Sequence, residues 1–269
     1  MRKLLRTQDI LLLGLSGTLD LFEEIRDPFH LVGKCYENMY GWVPGQYKRS
    51  NFTHLLWRNI KTGYIEKIEK KGEVYIRLTS QGEKKITRDF PLLLLQKRKW
   101  DKRWRVAIFD IQEVNKSVRD GLRKKLKELG FGMIQKSVFI SPHDIIQDLS
   151  EFIKNSGLDE VVYTFEASNL ATGDVKGLAN KVWNLNALNE KYREIIEIID
   201  NKHLTIIRDR VKMLNDEDPE SMVNLARELR EKYLALIIKD PFLPKELLPS
   251  DWMGYEAKKL IKNLSQTYL

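Results

Sequence analysis

The feature that most restricts the fold of this chain is the stretch from Trp100 to Asp144, where a strand, a helix and a second extended segment follow one another. The run from Val106 to Ile111 is short, apolar and rich in Val, Ile and Phe, which is typical of a buried strand. Apolar residues then recur every three or four positions, as in an amphipathic helix: Val114, Val118, Leu122, Leu126 and Leu129. Gly130 follows, where a left-handed helix end is easiest. The order predicts a βαβ-type unit.

The same pattern then repeats. Residues 145–153 have the period of a second amphipathic helix, and residues 160–166 have the composition of another strand. Residues 131–135 and 137–140 are either two strands or the arms of one bent strand. If they are two strands, the order is βαββαβ, the ferredoxin-like sandwich, in which two helices cover one face of an antiparallel sheet.

The N-terminus superficially resembles a signal peptide, but it is better explained as a first helix. Asp9 interrupts its apolar run, and the helical period continues through Leu19, Leu21, Phe22 and Ile25. No apolar segment approaches the roughly 20 residues needed to span a bilayer. Cys35 is the only cysteine, which excludes an internal disulfide framework. We therefore expect a cytoplasmic protein without a membrane partner.

The positive charge of the chain is concentrated in its first hundred residues. They hold 19 Lys and Arg and 11 Asp and Glu, a net +8, which equals the net charge of the whole protein. The remaining residues hold 27 of each sign. A basic module attached to a neutral body predicts a polyanionic partner.

The basic module has the element order of a winged helix-turn-helix. After the first helix, an irregular region with one possible helix leads to a helix over 51–61, capped by Ser50. Residues 64–68 and 74–78 alternate apolar with polar around a turn containing Gly72, which predicts a β-hairpin, and Thr79 is positioned to cap another helix. The overall prediction is an α+β protein in three domains: a winged helix-turn-helix at 1–96, a ferredoxin-like domain at 97–170 and a helical domain at 171–269.

In such modules the exposed face of the third helix enters the major groove, and the hairpin lies along the DNA backbone. We expect the helix to contact DNA through Lys48, Arg49, Asn51, His54, Arg58 and Lys61. We expect the hairpin to contact it through Lys67, Lys70 and Lys71. Lys and Arg would neutralise phosphates, and Asn51, His54 and Arg58 could reach base edges. The alternative is that these side chains form an ordinary solvated surface.

The C-terminal third is helical in period. Four helices are predicted before the Pro-rich connection at 240–249: residues 174–183, 185–200, 203–214 and 220–239. Asp251 is positioned to cap a last helix. Tryptophans such as Trp57, Trp100 and Trp104 are expected to pack at domain junctions.

Several motifs together resemble the PaaX family of bacterial transcriptional regulators. They are WDKRW (100–104), VAIFDIQE (106–113), VRDGLRKKLKELGFG (118–132), SVFISPHD (137–144), VWNLNALNEKY (182–192) and DPFLPKELLPSDW (240–252). The resemblance implies an N-terminal DNA-binding domain, a middle domain that can help dimerise, and a helical C-terminal domain. It further implies a homodimeric repressor that binds double-stranded operator DNA and releases it on binding an acyl-CoA effector, for which the chain has no sequence fingerprint.

The middle segment also resembles the small CRISPR-adaptation nuclease family, in IFDI (108–111) and GMIQKSVFIS (132–141). That resemblance implies a metal-ligating aspartate after the first strand, and Asp110 matches it. The alternative function is therefore a Mg²⁺-dependent nuclease acting through Asp110, although such hydrolysis usually needs several oxygen ligands. Asp110 could equally cap the turn before the helix. A third hypothesis is an interaction module whose helical domain binds a protein.

Overall fold

The computed structural model describes residues 6–16, 24–70, 72–90, 92–95, 99–168, 173–211 and 219–268. The helices are α1 (Thr7–Gly14), α2 (Pro28–Tyr40), α3 (Arg49–Lys61), α4 (Ser80–Asp89), α5 (Leu92–Leu95), α6 (Lys116–Glu128), α7 (Ile146–Asn155), α8 (Val175–Trp183), α9 (Leu185–Val211), α10 (Pro219–Ile237) and α11 (Gly254–Tyr268). The strands are β1 (Glu24–Ile25), β2 (Ile65–Lys70), β3 (Glu73–Leu78), β4 (Trp104–Phe109), β5 (Gly132–Gln135), β6 (Val138–Ser141) and β7 (Val162–Ala167). In these ranges no helix has the length and apolar character needed to cross a membrane.

The chain forms two compact units. The first, here called the middle unit, comprises Pro91–Asn186 and Pro241–Ser250, while the second joins Leu5–Phe90 to Ala187–Asp240 and Asp251–Leu269. The C-terminal helices therefore belong to the same unit as the N-terminal ones. The predicted three-domain division stays a prediction.

The middle unit contains a four-stranded antiparallel sheet in the order β5-β6-β4-β7. Its elements follow one another as β4-α6-β5-β6-α7-β7, so the βαββαβ order and the ferredoxin-like arrangement are confirmed. Residues 132–135 and 138–141 are separate strands, and a register shift between Met133 and Gln135 marks an irregularity in their pairing.

Helices α6 and α7 cover one face of this sheet. The core between them contains Ala107, Phe109, Leu122, Leu126, Phe139, Leu149 and Ile153. The opposite face carries two cross-strand rows, Ile140–Val106–Phe165 and Val138–Ile108–Tyr163. Near the Val106 row, Trp183 of α8 stacks on Trp104 at 6.3 Å between ring centroids. Tyr163 and Phe165 remain 63% and 45% exposed.

The predicted inner stripe of α6 is correct from Leu122 onward and wrong before it. Val114 lies in a short 3₁₀ turn ahead of the helix and is 84% exposed, because the helical period does not apply there. Val118 is in the first turn of α6 and is 43% exposed. The side chains that pack this helix onto the core are therefore Leu122, Leu126 and Leu129.

Three sequence motifs meet around one buried arginine of the middle unit. Arg105 is 2% exposed and donates to both carboxylate oxygens of Asp101, at 2.8 and 2.6 Å. It also lies 3.4 Å from Asp144 and 3.3 Å from Glu166, so it joins the start of β4 to the end of β6 and to β7. The Arg105 guanidinium, through its hydrogen bonds, holds the pKa of Asp101 below its usual value.

His143 is buried beside this network. Burial lowers the pKa of His143 to about 4, a hydrogen bond to the Pro241 backbone partly opposes the shift, and the positive charge of Arg105 adds to it. His143 is therefore neutral in the folded protein at neutral pH. The motifs around 100–105, 141–144 and 240–244 thus have a structural role.

The second unit packs α10 against α2. A Cβ added at Gly14 of α1 would lie 3.2 Å from Leu31 of α2 and 3.3 Å from Leu234 of α10, so the three helices approach closely there. Lys239 donates to the carbonyl of Met39 at 2.7 Å. His30 Nε2 lies 3.3 Å from Glu231 Oε1, and burial raises the pKa of Glu231 to about 7.

Other predicted elements are confirmed or corrected in this unit. The hairpin is present, and Thr79 caps α4 by accepting from Gly82 N at 3.1 Å. Ile25 lies in β1, so the first helix does not continue to it. A single helix, α9, replaces the two predicted between 185 and 211. Asp251 is not the N-cap residue of α11, which begins at Gly254, and its carboxylate pairs with Arg193 at 2.9 Å.

Replacing Leu126 by Ala should destabilise the protein by about 2–5 kcal/mol, since this fully buried side chain fills the space between α6 and the sheet. The matched change Val114→Ala should alter the free energy of unfolding by less than about 0.5 kcal/mol, because Val114 is exposed. Urea denaturation measures both values. Equal losses for the two variants would contradict the observed packing of α6.

A second prediction concerns acid. The folded pKa of His143, about 4, lies below its ordinary 6.5, so the unfolded chain binds more protons between these values. His143 should therefore reduce the free energy of unfolding as pH falls through this window, by at most about 3 kcal/mol. Urea denaturation of the wild type and of His143→Gln across this pH range should show that the free energy of unfolding falls less steeply with decreasing pH in the variant. His54→Gln, at an exposed position, is the control, and a wild-type slope in His143→Gln would contradict the assignment.

Candidate nucleic-acid interface

Helix α3 begins two residues earlier than predicted. It spans Arg49–Lys61, with Lys48 as the N-cap residue and no side-chain cap hydrogen bond, so Ser50 lies within the helix. Helix α2 ends at Gly41, whose φ of 77° is a conformation that glycine adopts without strain. The segment from Gly41 to Lys48 connects the two helices.

An aromatic cluster fixes α3 against α2. Phe29 and Tyr47 stack with ring centroids 4.7 Å apart, and Phe52 contacts both rings edge-on at 5.4 and 5.8 Å. Tyr36 approaches Tyr47 at 5.7 Å. Burial raises the pKa of Tyr47, so its hydroxyl stays protonated and donates to the carbonyl of Phe29. This cluster sets the rotation of α3 about its axis.

A buried amide adds a second attachment. Asn59 is buried on the inner side of α3, where Nδ2 donates to the carbonyl of Leu55 at 2.7 Å and Oδ1 accepts from Gln8 Nε2 of α1 at 2.8 Å. Helix α3 is therefore joined to both preceding helices.

The outward side of α3 carries the side chains predicted to contact DNA. Asn51, His54, Arg58 and Lys61 are all exposed and recur every three or four positions, so they share one face. Residues 38–65 contain four Lys and Arg and no Asp or Glu. Asn51 Nδ2 donates to the carbonyl of Gln46 at 2.9 Å, which leaves its Oδ1 as the available acceptor.

Lys48 and Arg49 are also exposed, as the N-cap residue and the first residue of α3. The Arg49 guanidinium is 4.9 Å from the Phe29 ring centroid, so it also covers the aromatic cluster. We call the exposed face of Asn51, His54, Arg58 and Lys61, together with Trp57, the α3 face.

Trp57 is the residue that sequence analysis missed. It was expected to pack at a domain junction, yet it is 59% exposed, with Lys61 Nζ 5.1 Å from its ring centroid. The spacing of Trp57 from His54 and Lys61 is the signal that could have identified it. An exposed ring beside cations can contact sugars, base edges or thymine methyl groups.

The hairpin is less basic than its lysines suggest. Lys67 and Lys70 of β2 are exposed, and Lys71 lies outside the described residues. Acidic residues stand among them: Glu66 pairs with Arg77 at 2.7 Å, and Glu73 pairs with Arg26 at 2.9 Å. The hairpin therefore offers a weaker positive field than α3.

Asp110 follows β4 and is exposed, and its backbone N–H donates to the carbonyl of Val161 at 3.1 Å. Within the described ranges, no group of three or more His, Cys, Asp or Glu side chains could hold a metal ion. Asp110 supplies one carboxylate in each protomer, so a metal site at this position would need a second carboxylate from another copy of the chain. The Mg²⁺-dependent nuclease remains an alternative prediction.

Comparison with known proteins adds three findings. Family models match the PaaX protein central Cas2-like domain at residues 97–179 and the PaaX-like protein C-terminal domain at residues 183–269. The transcriptional repressor PaaX of Escherichia coli (strain K12) is 27% identical over 194 residues, which cover 71% of this chain and 58% of the repressor. The match thus spans less than two thirds of that relative's length.

Among solved structures, the uncharacterized protein Rv0674 from Mycobacterium tuberculosis has a TM-score of 0.50 at 17% identity, covering 89% of this chain and 86% of that chain. At this identity the similarity shows the fold alone. The two family models together account for more than half of the sequence, and they include the motifs that meet around Arg105. The chain belongs to the PaaX family, with a Cas2-like middle domain.

Proposed function

We propose that this protein is a DNA-binding transcriptional regulator that represses transcription. The α3 face enters the major groove, and the β2–β3 hairpin lies along the backbone as a wing. The name of the Escherichia coli relative, a transcriptional repressor, supports the proposal. So does the order of α1, β1, α2, α3 and a β-hairpin, with the three strands in one sheet.

The main observation behind the proposal is that the α3 face contains an arginine and a lysine but no Asp or Glu. Its arginine and lysine side chains can neutralise phosphates, and Asn51, His54 and Arg58 present hydrogen-bonding groups to base edges. The aromatic cluster and Asn59 restrict the helix, so these groups are arranged before DNA binds, which lowers the entropic cost of association.

We further propose that two copies associate through the open face of the middle sheet. The support is the exposure of Tyr163 and Phe165 on β7, which lie in the cross-strand rows of Ile108 and Val106 respectively. Exposed aromatic residues are typical of interface centres. A two-fold dimer would present two α3 helices to two half-sites. The acyl-CoA effector implied by the family resemblance stays a prediction.

The first test of this function is the double variant Arg58→Ala/Lys61→Ala. It should weaken binding to genomic fragments and lower the slope of log K against log salt by about 2 per protomer, because each lost phosphate contact removes about 0.9. A salt titration by fluorescence anisotropy measures the slope. The matched control is Lys84→Ala/Arg88→Ala, which removes two exposed charges from α4 of the same unit. The same slope in both variants would exclude α3 as the DNA-contacting helix.

The second test concerns the dimer. Tyr163→Glu/Phe165→Glu should convert the dimer to a monomer, because two carboxylates would be buried without partners in the interface. Sedimentation velocity measures the change. The control Val114→Glu/Tyr255→Glu places the same charges at other exposed apolar positions. A wild type that sediments as a monomer, or a double variant that stays dimeric, would contradict the proposed interface.

A further inference from the structure

Within the middle unit, positive and negative residues are concentrated in different segments of the chain. Residues 101–269 have no net charge, yet residues 116–136 hold seven Lys and Arg and two Asp and Glu, a net +5. Residues 137–168 hold one Lys and six Asp and Glu, a net −5. Six of the basic residues lie on α6, and the seventh, Lys136, lies in the turn between β5 and β6. Counting charge over the whole body therefore misses a local positive surface.

Helix α6 presents its lysines on the side away from the sheet. Leu122, Leu126 and Leu129 bury the inner side. Lys116 and Lys124 are exposed and Lys127 is half-buried, and their spacing places them within about a quarter of the helix circumference. With 1.5 Å of rise per residue, the three lysines extend over about 16 Å of helix axis.

Hydrogen bonds add a fourth lysine to this strip. Arg123 donates through Nε and Nη2 to the carbonyl of Lys136, at 3.0 and 2.9 Å, which draws the β5–β6 turn to α6. Lys136 is exposed. Arg123 also lies 3.3 Å from Asp120, the acidic residue of the strip, and so offsets its charge. Lys125 faces elsewhere, with its Nζ 5.6 Å from the Phe152 ring centroid.

We propose that Lys116, Lys124, Lys127 and Lys136, here called the α6 strip, bind the phosphate backbone of DNA as a second contact, separate from α3. This inference rests on the proposed function. Lysine ammonium groups are flexible point charges that match phosphates without reading sequence. A row of them along one helix suits a polymer that carries one phosphate per about 3.4 Å along each strand. The α6 strip thus supplies sequence-independent affinity, and the α3 face supplies discrimination.

The test uses the full chain and random-sequence DNA duplexes of about 40 base pairs, titrated between about 50 and 200 mM salt. The variant is Lys116→Gln/Lys124→Gln/Lys127→Gln. The matched control, Lys154→Gln/Lys176→Gln/Lys181→Gln, removes three exposed lysines from α7 and α8 of the same unit. Both lower the net charge by three, so a general charge effect cancels. The α6 variant should lower the salt slope by about 2–3 per protomer relative to the control.

A third variant, with arginine at the same three positions, should retain the wild-type slope and so separates charge from folding. Equal slopes for the α6 and control variants would overturn the inference. A change in self-association without a change in slope would also overturn it, because the occupant would then be the acidic segment of a second copy.

The Arg58→Ala/Lys61→Ala variant, measured in parallel, distinguishes the two proposals. If the salt slope decreases only in that variant, the proposed DNA contact of α3 is supported and the α6 contact is excluded. If the salt slope decreases only in the α6 variant, the α6 contact is supported and the proposed role of α3 is excluded. A wild type that does not bind DNA at low salt overturns both.

Discussion

The proposed interface depends on the contact between Phe29, Tyr47 and Phe52. These rings, joined by the Tyr47 hydroxyl bound to the Phe29 carbonyl, determine which side of α3 is buried. Each aromatic pair contributes about 0.5–1.5 kcal/mol beyond its buried area, so the cluster resists rotation of the helix. Because Asn59 fixes the same side of α3 to α1, the polar and basic residues of the helix are left facing solvent.

In the middle unit, too, the burial of apolar residues determines which side chains face solvent. Its leucine stripe holds α6 on the sheet, so Lys116 and Lys124 face solvent, and Arg123 donates two hydrogen bonds to the carbonyl of Lys136 in the β5–β6 turn. On the other side of the sheet, Trp183 packs near the Val106 row, and Tyr163 and Phe165 stay exposed. One small fold therefore separates a basic surface from an apolar one, as the proposed DNA contact and the proposed dimer both require.

Much of the fold could be predicted because local periodicity is a strong signal where one face of an element is buried. The leucines of α6, the alternation in β2 and β3 and the Thr79 cap each act within a few residues of chain, and each is present in the structure. The family motifs between 100 and 252 were identified correctly as well. Predictions failed at boundaries, where Val114 precedes its helix and Asp251 pairs with Arg193, because a period does not reveal where an element stops.

The sequence by itself determined the alternation of strands and helices between 100 and 166, the candidate face of α3 and the concentration of net charge in the first hundred residues, since these depend on spacing and composition. That residues 132–135 and 138–141 form two strands, which completes the βαββαβ order, was decided by the structure. Only the tertiary structure decided that α10 packs on α2, that Trp57 is exposed, that Arg105 joins motifs some forty residues apart and that α6 carries its own basic strip. These features depend on contacts between residues distant in the chain. Their formation requires the whole core to exclude water, and no local pattern records which distant surfaces will meet.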